Sequence, residues 1–108
     1  MMDLNILWKS LAAFSKRVGR SMARTPLLLY YVLKDDKTTT KDKATIYAAL
    51  AYLVLPVDLI SARSHPILGW ADEILSIEIV YDRMRKYITP DMLRRAEAQL
   101  DKWIPATT

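Results

Sequence analysis

The chain has 108 residues and a net charge of +4; 52% are apolar, two are glycine and none is cysteine. That composition supports one packed core and excludes a disordered chain, a disulfide framework and a thiolate zinc site. The positive charge belongs to the first part: residues 1–43 hold nine Lys/Arg against four acids, and residues 44–108 hold seven against eight, an imbalance that points to an anionic partner or to a solubilising face.

The start, MMDLNILWKS, lacks the basic-then-apolar layout of a secretory signal, so a cytoplasmic location is expected. Residues 3–24 are predicted as the first helix, with Asp3 as N-cap. At helical spacing Leu4, Leu7, Trp8, Leu11, Phe14, Val18 and Met22 share one sector, and Lys9, Lys16, Arg17, Arg20 and Arg24 lie opposite. Ile6 and Ala13 interrupt the basic side. Such a helix either packs its apolar face on its own domain, the favoured reading, or lies on an anionic membrane surface.

Thr25-Pro26 reads as a cap followed by proline at the first helical position, opening a short apolar helix over 26–34, PLLLYYVLK. A polar loop, DDKTTTK, spans 35–41. Next comes the most hydrophobic stretch, residues 44–60, whose uncharged run from Ala44 to Val57 has fourteen residues. Thr39 or Thr40 caps it, Asp42 sits in its first turn, and Pro56 ends it. A spanning helix needs about 20 apolar residues, so this run reads as a buried helix. Because it is apolar nearly all round, it is expected at the centre, wrapped by the others.

The chain then turns between Pro56 and Gly69. A helix from about 70 to 87 follows, with Asp72 and Glu73 in its first turn, Arg83, Arg85 and Lys86 in its last, and Ile74, Ile77, Tyr81, Met84 and Ile88 facing inward. Thr89-Pro90-Asp91 is a further helix start, and Leu93, Ala96, Leu100 and Trp103 form the stripe that docks the last helix. The whole is predicted to be all-α, a single small orthogonal bundle of about five helices. Residues 1–25 form the basic amphipathic helix and residues 26–108 the remaining domain, in one globular unit.

The motifs for chemistry are sparse. With one histidine, no cysteine and no serine in a nucleophile-elbow pattern, no nucleophile–base pair is read, and a non-enzymatic role without cofactor is expected. No glycine-rich phosphate loop exists. Asp58, Asp72 and Glu73, with His65, supply oxygens of the kind a divalent cation takes; their spacing matches no ligand motif, so the favoured reading is structural, Asp58 holding the turn and the other two the helix start. The tyrosines at 30, 31, 47, 52, 81 and 87 are not interleaved with the basic cluster, so nucleic-acid binding rests on charge alone.

LYYVLKDDKTTTKDKATIYAALAYLVLPVDLI followed by HPILGWADE resembles the YkvA-like domain-of-unknown-function family. The resemblance covers about residues 28–90 and is carried by Leu55, Pro56, Asp58, Leu59, Ile60, Pro66, Gly69, Asp72 and Glu73. Ser61 and Ala62 depart from the family pattern, which has proline and aspartate there, so any carboxylate site shared by the family is weakened in this chain. The resemblance implies a small bacterial helical domain, of a kind often predicted to be membrane-associated, and brings no assigned function. The expected role is therefore an interaction or scaffold module at an anionic membrane surface, held by Lys9, Lys16, Arg17, Arg20 and Arg24. The alternatives are a nucleic-acid-binding module using the same helix, a metal-binding protein through Asp58, Asp72 and Glu73, and a protein partner.

Overall fold

The computed structural model describes residues 4–55 and 77–105. Five α-helices make up this part: α1 Leu4–Val18, α2 Arg20–Lys34, α3 Thr40–Val54, α4 Ile77–Met84 and α5 Pro90–Trp103, with a 3-10 turn, Arg85–Tyr87, continuing α4. No strand occurs among the described residues, as the periodicity predicts.

Two helix starts follow from local chemistry. At α3 the Thr39 hydroxyl accepts the Asp42 N–H at 3.2 Å, and at α5 the Thr89 hydroxyl accepts the Met92 N–H at 3.2 Å. Each satisfies one of the N–H groups a helix leaves open at its first turn. The loop between α2 and α3 is pinned from inside: Thr38 is buried and its hydroxyl donates to the Val32 carbonyl at 2.7 Å.

The boundary between the first two helices is not where Thr25-Pro26 placed it. α1 stops at Val18 and α2 begins at Arg20. Gly19 lies between them with φ 93° and ψ 169°, a conformation open essentially to glycine alone. Its N–H donates to the Ser15 carbonyl at 2.9 Å and its carbonyl accepts from the Ala23 N–H at 3.0 Å, so one residue closes one helix and opens the next. Pro26 falls inside α2 and is buried. The ring's lost backbone hydrogen bond is offset by withdrawal of apolar surface from water. The break also re-phases the chain: Met22, expected on the apolar face of a continuous first helix, is 64% exposed.

The centre of the bundle is α2, not α3. α2 packs against all four other helices, and from Pro26 to Leu33 every residue but Tyr31 is buried. α3 packs on α1, α2 and α4 but leaves Tyr52 exposed. Its alanines explain the close fit, since Ala48, Ala49 and Ala51 are buried and bring backbones near each other. One continuous core takes Leu7 and Leu11 from α1, Leu27, Leu29 and Val32 from α2, Ile46 and Leu50 from α3, Val80 and Met84 from α4, and Met92, Ala96 and Leu100 from α5.

The inner faces of α4 and α5 are close to those expected. Ile77, Tyr81 and Ile88 pack at the core edge and Met84 within it. Leu93, placed in the docking stripe of α5, is instead exposed, and Met92 takes the buried position. Leu93 stands one turn before Glu97, on a flank that carries charge rather than core.

Candidate functional site

The five cations assigned to an anion-binding face divide into two groups. Lys9, Lys16 and Arg17 are exposed on α1, a helix with no acidic residue in its sequence LNILWKSLAAFSKRV. No ion pair joins them to another described residue. Arg17 rests over the Phe14 ring at 5.5 Å, which shields one face of that ring and leaves the charge in solvent.

Arg20 and Arg24 stand on α2, beyond the break at Gly19, and are turned to α5. The Arg20 guanidinium (Nη2) lies 2.9 Å from Glu97 Oε1 and 2.7 Å from Asp101 Oδ1, and reaches the Glu97 carbonyl at 3.3 Å. Arg24 Nε lies 2.5 Å from Glu97 Oε2. The hydrogen bonds from Arg24 and then Arg20 hold the Glu97 carboxyl well below its ordinary value, at about 2. The reciprocal effect raises both guanidinium pKa values, Arg20 through Glu97 and then Asp101, Arg24 through Glu97. These two arginines clamp α2 to α5, and their charge is met by the domain's own acids.

The apolar face of α1 is also occupied. Leu7 and Leu11 are buried and Phe14 nearly so. Trp8 stands at the edge of the core in a ring cluster, its centroid 4.8 Å from Tyr30 and 4.7 Å from Trp103, with Tyr31 at 6.4 Å. Tilted pairs at such separations contribute about 0.5–1.5 kcal/mol beyond area burial. Burial pushes the hydroxyl pKa of Tyr30 and of Tyr31 up; Arg95 partly opposes the shift at Tyr31. The self-packing reading of this face therefore holds. Sequence reasoning placed Trp8 on the right sector but had no means of finding Tyr30, Tyr31 and Trp103 around it.

Asp58, His65, Asp72 and Glu73 lie outside the described residues, as do the departures at Ser61 and Ala62. Among the described residues no group of three or more His, Cys, Asp and Glu side chains is placed to hold a metal ion, and no helix is long and apolar enough to cross a membrane.

No curated protein and no solved structure matches the chain. Residues 42–78 match the model of a family described as "Protein of unknown function (DUF1232)". The matched stretch lies within the region that resembles YkvA-like domains and bears that resemblance out: residues 42–78 of this chain carry the pattern of the DUF1232 family, a helical family without an assigned function.

Proposed function

We propose that this protein is a non-enzymatic helical interaction module that attaches to an anionic membrane surface, on the cytoplasmic side, through the solvent face of α1. The observation that carries this reading is the exposure of Lys9, Lys16 and Arg17 on an acid-free helix, beside a region where Arg20 and Arg24 are already neutralised by Glu97 and Asp101. A basic residue held near an anionic bilayer contributes about 1 kcal/mol. Three of them amount to weak, reversible, salt-sensitive attachment. Trp8 and Phe14 do not take part, because inserting them into lipid requires removing them from the core.

This division decides the experiment. Trp8 variants report on folding, so the informative change is Lys16→Glu combined with Arg17→Glu, both on the exposed face. Co-sedimentation with anionic vesicles, neutral vesicles and, separately, anisotropy with duplex DNA are measured at physiological salt. The reading expects binding to anionic vesicles only, lost in the double variant with an unchanged melting temperature. Binding to DNA without vesicle binding replaces it with nucleic-acid recognition, marked by a steep salt dependence. Binding to neither removes the membrane role and leaves a protein partner.

A further inference from the structure

Between the first turns of α1, the end of α2 and the outer flank of α5 lies a groove of about 410 Å3, within the range of small-molecule sites. Its walls carry two cations, Lys34 and Arg95, two side-chain amides, Asn5 and Gln99, and the aromatic edges of Trp8 and Tyr30. No Asp or Glu is among its described lining residues.

Both cations lie over aromatic rings. The Arg95 guanidinium lies 4.7 Å from the Tyr31 ring centroid and Lys34 Nζ 5.8 Å from that of Tyr30. A guanidinium placed over a ring can still present its N–H donors as a fork, the geometry that suits two-pronged recognition of an oxyanion. On its own helix Arg95 meets Asp91 only at long range, Nη1 to Oδ2 3.9 Å, and Asp91 is shared with Arg94, which lies closer at 3.0 Å. Asn5, Gln99 and the Tyr30 hydroxyl form no hydrogen bond with another described residue, and no buried side-chain polar atom among the described residues lacks a partner; Tyr30, 5% exposed, lines the groove.

We infer that this groove binds a phosphate monoester, with Lys34 and Arg95 taking the charge and Asn5, Gln99 and the Tyr30 hydroxyl the remaining oxygens. A phosphate monoester carries roughly −1.5 to −2 at neutral pH, which two cations match; a carboxylate or phosphodiester carries a single charge and leaves one cation unmet. The same chemistry is offered by a soluble organic phosphate and by a phosphatidate headgroup. The site uses none of Lys9, Lys16 and Arg17, so it stands or falls apart from the surface attachment proposed above.

The test uses the full chain labelled with 15N. Glycerol 3-phosphate is titrated while the Asn5 and Gln99 side-chain amides and the Trp8 indole are followed by NMR. In parallel, binding is measured to vesicles containing phosphatidate or phosphatidylglycerol at matched surface charge. The inference expects saturable shifts at these three groups, with affinity reduced at least about tenfold in Lys34→Gln/Arg95→Gln, the scale of one or two charge-assisted hydrogen bonds. If the double variant loses its native spectrum, Lys34→Gln alone carries the comparison and still weakens binding. Shifts with glycerol 3-phosphate assign a soluble ligand; a phosphatidate preference without them, lost in the same variant, assigns the lipid. No shift and no phosphatidate preference, or effects equal in wild type and variant, overturn the groove assignment. Vesicle binding that persists in that case and is lost only in Lys16→Glu/Arg17→Glu leaves the α1 reading intact.

Discussion

Arg24 and Glu97 meet across the bundle with Nε and Oε2 2.5 Å apart, although 73 positions separate them in the chain. Arg20 joins the same carboxylate and extends the contact to Asp101. Together they tie the first turns of α2 to the second half of α5, and they remove two cations from any external task.

The contact makes stability depend on pH. Glu97 has its pKa depressed from 4.5 to about 2 in the folded protein, chiefly by the Arg24 hydrogen bond. A depressed carboxylate contributes stability that is fully present above the unfolded-state value and is lost as pH falls toward the folded-state value. The contribution should therefore be complete above about pH 5 and gone near pH 2. The Glu97 side chain is 44% exposed, so solvent screening keeps it to about 1 kcal/mol or less. Urea unfolding of Glu97→Gln against the parent should show that deficit at pH 7 and a converging pair of curves by pH 2. A gap that persists at pH 2 refutes the linkage.

Gly19→Ala should destabilise through the backbone alone. A Cβ at this position meets nothing within 4 Å, yet φ is +93°. Holding a side-chain-bearing residue in that region costs on the order of 1–3 kcal/mol. Chemical denaturation measures it; a change under about 0.5 kcal/mol, the scale of an inert surface substitution, means the hinge between α1 and α2 is not set by glycine geometry.

Within α3, Leu50→Ala and Tyr52→Ala should differ sharply. Leu50 has no exposed surface, while Tyr52 is 36% exposed. Truncating the buried leucine costs about 2–5 kcal/mol, and the tyrosine much less. Thermal unfolding of the two variants side by side checks the orientation of the helix, and equal losses count against it.

Tyr87→Phe should cost about 1 kcal/mol. The Tyr87 hydroxyl donates to the Asp42 carboxylate, joining the 3-10 turn after α4 to the first turn of α3. Hydrogen bonds to charged groups are worth roughly 1.5–3 kcal/mol, and the half-exposed setting lowers that. Asp42→Asn should remove much of the same energy, so a double-mutant cycle with no coupling between the two positions speaks against the bond.

Local signals in the chain determined the helical class, the cap at Thr89, the choice of Thr39 or Thr40 for α3, and the inward sector of α1, because each depends on residues within about one turn of each other. Three matters were decided only by the tertiary structure. Gly19 and Thr25-Pro26 are both adequate places to divide the first helices, and the choice between them depends on which division lets Ala23, Leu27 and Tyr30 continue one buried face. The apolar runs of α2 and α3 are equally suited to the centre; α2 takes it because four neighbours pack around it, and Tyr52 of α3 is left outside. Arg20 and Arg24 extend the basic stripe of α1 when only periodicity is considered. Their partners, Glu97 and Asp101, belong to the far end of the chain, and the charge of a side chain says nothing about which opposite charge the fold will bring to it.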